Sequence, residues 1–326
     1  VKPVDAFGAI MRGGQTVVVG DDKQLPPTSF FEAVTQDGDD DDDDAITAVT
    51  DDIESVLGLF SSRQAPNRML RWHYRSRHES LIAVSNQEFY ENNLLIFPCP
   101  DADSETLGVR FHHLPTTTYD RGGSSTNVME AVAVAEAVMK HARDCPELTL
   151  GVAAFSVKQR EVILDQLEML RRENLAHENF FNSHPDEPFF VKNLETIQGD
   201  ERDVIFISVG YGRQPNGRIS MDFGPLNKDG GQRRLNVLIT RAKQRCEVFT
   251  NLVAADIDLS RTNAWGVRAL KSYLAYAEHG ALEIPKESGR DSGSPFFQDV
   301  VANRLRSLGY EIRQEIGSAG YFVDLA

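Results

Sequence analysis

Val204–Val209 reads VIFISV, apolar at almost every position, and such a run leaves a chain few choices. A strand with one wet face alternates polar and apolar side chains, whereas an unbroken apolar strand is covered on both faces. Leu148–Phe155 and Cys246–Leu252 also read as buried strands, and Met69–Trp72, Val109–Leu114 and Phe189–Val191 are further strand candidates. Between them lie segments of helical period, predicted at His78–Tyr90, Asn127–Arg143, Val157–Glu173, Gln232–Lys243 and Trp265–His279. In Asn127–Arg143 the apolar positions Val128, Ala131, Val132, Ala135, Val138, Met139 and Ala142 keep to one stripe. Buried strands alternating with amphipathic helices predict an α/β fold, a parallel sheet flanked by helices. Ligands of such sheets are expected at the carboxyl ends of the strands.

The flanks are different. Val1–Met11 reads as the end of a helix and Gln15–Val19 as a buried strand, followed by the loop GDDKQLPPT, Gly20–Thr28. Asp37–Glu54 holds ten acids and no base, so two thirds of the net charge of −15 belongs to that run, and the rest is only mildly acidic. Its unbroken aspartates predict a disordered loop over 37–52. A global charge that would repel nucleic acid therefore decides little, and local clusters matter more. Cys99, Cys145 and Cys246 are scattered, without a CxxC pair, which argues for a reducing compartment and against structural zinc. No apolar run is long enough to span a bilayer, so a membrane partner is not expected, and a cytoplasmic location is.

RRLNVLITRAK, Arg233–Lys243, carries the chemistry. As a helix it places Leu235, Leu238, Ile239 and Ala242 on one face and sets Arg234 and Arg241 on another stripe. A rigidly held guanidinium suits a phosphate, because its planar fork donates several hydrogen bonds and keeps its charge. Taken alone the segment also reads as a surface helix with solvated arginines. Three other segments weigh against that: GDDKQLPPT, LRWHYRS (Leu70–Ser76) and ETIQGDERD (Glu195–Asp203). In this order and spacing the four resemble motifs III to VI of superfamily 1 DNA/RNA helicases, nearest the branch of the nonsense-mediated-decay helicase and its bacterial relatives. The likeness runs from about Val1 to His279.

The resemblance implies a RecA-like, P-loop NTPase fold and a role for each matching residue. Gln24 would sense the γ-phosphate or its attacking water, and Arg75 and Arg241 would be the two cations that stabilise phosphoryl transfer. Tyr74 would stack on the adenine, although a core tyrosine fits equally. Glu201 would reach the ribose or phosphate side, and Gly199 would let backbone approach the nucleotide. Thr196 and Gln198 would face a nucleic-acid track, joined by Phe155 and Ser156 of the segment FSVKQ. Ser156 reads just as well as a helix N-cap, Arg75 as a salt-bridged arginine, and Gly199 as a plain turn.

The departures bear on activity. The chain contains no Gly-Lys dipeptide, hence no GxxxxGK[ST] loop to hold phosphates and magnesium. An Asp-Glu pair of motif II would lie upstream of Val1. The expected organisation is a remnant of a first RecA-like domain over 1–64, a second over 65–283, a linker at 284–293 and a truncated unit over 294–326. ATP and Mg2+ would be cofactors of the full-length protein, with none bound by this fragment, which is expected to be inactive alone. Its partners would be single-stranded nucleic acid, DNA more than RNA, and the missing N-terminal half of the same protein. From Pro295 a helix and two strands, Glu311–Glu315 and Tyr321–Leu325, resemble the start of a PD-(D/E)XK nuclease of the very-short-patch-repair type, in which Asp324 would be the first metal-binding carboxylate. An aspartate ending an edge strand explains Asp324 as well. Two rival readings are a non-enzymatic nucleic-acid-binding module on the same fold and a nuclease served by the helicase part.

Overall fold

The computed structural model describes residues 1–26, 55–99, 106–280, 295–318 and 321–325. The expected acidic loop, the linker at 284–293 and the residues Pro27 and Thr28 lie outside them. The chain forms two compact units, Val1–Leu70 and Arg71–Ala326.

In the first unit, helix α1 (Pro3–Ile10) opens on a proline, which suits a position whose N–H has no helical partner. Helix α2 (Val56–Ser62) is capped by Ser55, whose hydroxyl accepts from Gly58 N at 3.0 Å. Gln15–Val19 is not the buried strand its sequence predicts. It forms no strand pairing among the described residues, and Val17 and Val19 are exposed. Apolar alternation supplies the side chains of a strand, whereas the strand itself needs a neighbour to bond.

The second unit is built on a five-stranded, wholly parallel sheet in the order β3-β7-β6-β4-β5. Its strands are β3 (Gly108–His113), β4 (Leu150–Ala154), β5 (Phe190–Asn193), β6 (Arg202–Ser208) and β7 (Ala242–Thr250). Two residues of β1 (Trp72–His73) pair in parallel with β2 (Leu95–Ile96). Around the sheet stand α3 (Ser80–Phe89), α4 (Val128–Asp144), α5 (Val157–Glu173), α6 (Gly231–Ile239) and α7 (Trp265–His279). Ala131, Val134, Ala135 and Val138 of α4 and Ile163 and Leu167 of α5 close over Val152, Phe206 and Phe249 on one face. Leu235 and Leu238 of α6 and Leu270 and Leu274 of α7 are also fully buried. The expected α/β, RecA-like parallel sheet flanked by helices is therefore the fold.

Boundaries moved where side chains outweighed pattern. The helix predicted from Asn127 starts at Val128, because Asn127 is its cap and accepts from Glu130 N at 3.1 Å, whereas α5 starts where predicted, with Ser156 accepting from Gln159 N at 3.1 Å. The predicted helix Gln232–Lys243 ends at Ile239, and β7 begins already at Ala242 rather than Cys246. Arg241 is thus not on the helix and shares no stripe with Arg234. Toward the carboxyl terminus, α8 (Pro295–Ser307) precedes an antiparallel hairpin of β8 (Gln314–Ser318) and β9 (Tyr321–Leu325). Its first strand lies a few residues later than the sequence predicts.

The starts of α6 and α7 meet where only glycine fits. A Cβ on Gly231 or on Gly266 would collide with the Leu226 carbonyl, and one on Gly266 would also press on the Gly231 backbone. Gly266→Ala should destabilise the protein by about 1–3 kcal/mol, the usual cost of overpacking, read as a lower urea midpoint at an unchanged slope.

Candidate functional site

Thr240 decides where the arginine segment stops being a helix. Its hydroxyl turns back to the Asn236 carbonyl at 2.8 Å, and the chain then enters β7, leaving Arg241 in a short connection. Arg241 Nε donates to Val237 O at 2.7 Å and Nη2 to Thr240 Oγ1 at 3.2 Å. Arg75 arrives from a distant loop, donating from Nη1 to Thr240 O at 3.3 Å and from Nε to Glu201 Oε2 at 2.7 Å. Both guanidinium groups therefore bond to the same threonine. Arg241 is 4% exposed, and burial followed by the charge of Arg75 lowers its pKa to about 10, so it stays a cation at neutral pH.

The support is local. Arg77 N donates to Lys243 O at 2.8 Å, tying the Arg75 segment to the start of β7. His73 Nε2 accepts from Ser76 N at 3.2 Å and lies 2.8 Å from Ser76 Oγ. Burial, then Arg75, lowers its pKa to about 4, so the ring is neutral and acts as a brace. Lys243 Nζ lies 3.7 Å from Glu201 Oε1 and also pairs with Glu187. Sequence reasoning missed Thr240 and Lys243, although both stand inside TRAK.

This cluster sits at the amino ends of β6 and β7, because Glu201 immediately precedes β6 and Arg241 immediately precedes β7. The expectation that all the motif loops gather at the carboxyl ends is corrected. Only the loop after β5 and the Ser156 turn after β4 leave from those ends. Thr196 and Gln198 are exposed in the first, with Thr196 Oγ1 donating to Asn193 Oδ1 at 2.7 Å and Gly199 at φ 92° turning the chain. Arg234 points to this loop instead, 2.6 Å from Glu195. Ser156 is the N-cap of α5, and Phe155 is a core side chain at 1% exposure, so its ring is not a surface contact. Tyr74 is 93% exposed, which removes the core-tyrosine reading. Gln24 belongs to the other compact unit, where its Nε2 donates to Asp21 Oδ2 at 2.8 Å. Asp324 lies on β9.

Below the carboxyl ends lies a buried polar network that the sequence did not announce. Glu130 Oε1 accepts from Ser208 Oγ and Gly210 N, each at 2.7 Å, while Gln159 bridges Asn127 and Ser208. Elsewhere His78, Glu79 and Cys99 bring possible ligand atoms within 4.8 Å of one another. Two of these side chains already serve the backbone: His78 Nδ1 accepts from Ser80 N at 3.2 Å, and Glu79 accepts from Cys99 N at 2.7 Å.

Two arginines thus stand together on one rim of a RecA-like sheet. A family model described as an AAA domain matches residues 54–252, more than half of the chain, and the chain belongs to that family. It is 33% identical over 280 residues to an uncharacterized ATP-dependent helicase of Mycoplasma pneumoniae, the MG140 homolog, covering 84% of this chain and 24% of that protein. It is 32% identical over 337 residues to MG140 of Mycoplasma genitalium, also named an uncharacterized ATP-dependent helicase, covering 97% of this chain and 29% of the relative. A putative helicase of Danio rerio, mov-10-B.1, is 27% identical over 323 residues, 93% of this chain and 29% of its own length. The chain thus spans less than a third of each of these relatives. The AAA-domain match ends at Leu252, so it lends nothing to the nuclease resemblance. Among the described residues, no helix is long and apolar enough to cross a membrane.

The carboxyl-end network makes a pH prediction. Burial raises the Glu130 pKa from 4.5 to about 8, so the folded state holds a proton that the unfolded chain releases. That contribution to stability is complete below pH 4.5 and is lost as pH rises toward 8. Glu130→Gln, neutral at every pH, should remove this fall, seen as a flatter plot of urea-unfolding free energy between pH 5 and 8.

Proposed function

We propose that this chain is the second motor domain of an ATP-dependent helicase, with Arg75 and Arg241 as the pair that contacts the terminal phosphate. The convergence of the two guanidinium groups on Thr240 carries this reading. The four motif-like segments and the names of the helicase relatives support it.

The residues present fit the phosphate end of ATP and not its magnesium end. Arg241 is a buried cation whose hydrogen bonds go to a carbonyl and a hydroxyl, leaving its charge available to an anion. No Gly-Lys dipeptide supplies a magnesium-side loop, so that half of the site is assigned to sequence outside this chain. ATP brings the phosphoryl group. Arg75 and Arg241 hold its oxygens and neutralise the charge that grows during transfer. Thr240 and the neutral His73 keep both arginines in place. Exposed Thr196 follows the carboxyl end of β5 and the Ser156 turn follows that of β4, so these, with exposed Gln198, would grip single-stranded nucleic acid, DNA more than RNA, away from the nucleotide.

In a protein that joins this chain to a P-loop, Arg241→Ala should lower nucleic-acid-stimulated ATP hydrolysis by about 10³-fold or more. Single-strand affinity and the thermal midpoint should change little. Retention of hydrolysis within a few fold would remove the assignment.

A further inference from the structure

The resemblance gives Glu201 a place against the nucleotide. Its bonds indicate another one. Glu201 is half-buried and holds Arg75 Nε at 2.7 Å, while its second oxygen faces Lys243 Nζ at 3.7 Å. Arg75 is 35% exposed, so an incoming anion has access to it. The backbone of both partners is fixed independently of their pairing. Arg77 is tied to the Lys243 carbonyl, and Arg202, next to Glu201, donates from its backbone N to Arg241 O at 3.2 Å. The carboxylate therefore occupies the Nε donor of Arg75, a donor that an anionic oxygen could otherwise take.

We propose that Glu201 is a built-in phosphate mimic, a positioning residue that occupies Arg75 when no nucleotide is present and yields it to the terminal phosphate. The idea rests on the phosphate-reading role of Arg75 and Arg241 and replaces the ribose contact for Glu201. A partly exposed ion pair is a weak competitor, worth no more than about 1 kcal/mol. It is strong enough to keep two neighbouring guanidinium groups ordered and weak enough for a polyanion to displace. The displaced carboxylate retains Lys243 as a partner, so the exchange strands neither charge.

Tripolyphosphate, which has no ribose, separates the two roles. Calorimetric titration of a protein that joins this chain to a P-loop, with tripolyphosphate and with ATP, should show that Glu201→Gln tightens both by roughly three- to fivefold, the loss of a competitor of that strength. Glu187→Gln removes the same charge from beside Lys243 without touching Arg75, and should change both affinities by less. If Glu201 holds the ribose, Glu201→Gln weakens ATP and leaves tripolyphosphate unchanged, which overturns the proposal. Equal tightening by both variants reduces the effect to general charge and overturns it too. The underlying phosphate reading fails separately, if Arg241→Ala leaves tripolyphosphate binding as it was. Should Glu201→Gln not fold, the unaltered chain still answers. The Arg75 Nε–Hε resonance should move on saturation with tripolyphosphate, and a resonance that stays in place contradicts the exchange.

Discussion

A buried guanidinium beside a second guanidinium is the constraint on which the site depends. Like charges at close range disfavour one another, and burial removes the water that would screen them. Arg241 is nevertheless held at 4% exposure, with Arg75 among the charges that depress its pKa. Three groups make this arrangement tolerable: the Val237 carbonyl, the Thr240 hydroxyl and the Glu201 carboxylate. Each is delivered by an element whose position the core fixes. An arrangement that costs the resting fold something and gains from an added anion is what phosphate recognition requires.

The sheet explains how such distant segments meet. Because β6 and β7 are neighbouring parallel strands, the residues that enter them, Glu201 and Arg241, are adjacent by construction. The register shifts between Arg202 and Val204, and the bond from Arg202 N to Arg241 O, 3.2 Å, still ties the two strand entries together. The Arg75 segment is then pinned by the bond between Arg77 and Lys243. At the opposite strand ends, the network of Glu130, Gln159 and Ser208 fixes the Ser156 turn and Gly210 without using surface residues. Two edges of one sheet thus carry two different sets of polar groups, which is the arrangement the proposed coupling of nucleotide to nucleic acid would use.

Much of this was legible beforehand, for physical reasons. Helical period places Val157–Glu173 and Trp265–His279 to the residue, and the structure bounds them with an N-cap serine and a closing glycine. The buried strands declared themselves by lacking alternation. Gln15–Val19 misled because an apolar run says nothing of whether a partner strand exists. The end of α6 differs from the periodic pattern because the chain turns at Thr240 and enters β7 at Ala242, a pairing with β6 that periodicity cannot reveal. Which strand ends carry the site depended on topology, and Glu130 was invisible because only the fold surrounds it with donors.

The account is tested most directly by a double-mutant cycle on tripolyphosphate binding, with Arg75→Ala, Arg241→Ala and both together. Two cations acting on one anion through a shared threonine should be coupled, the double variant departing from the sum of the single losses by about 0.5 kcal/mol or more. Losses that simply add, or an unchanged affinity in either single variant, would mean that the two arginines do not form one site.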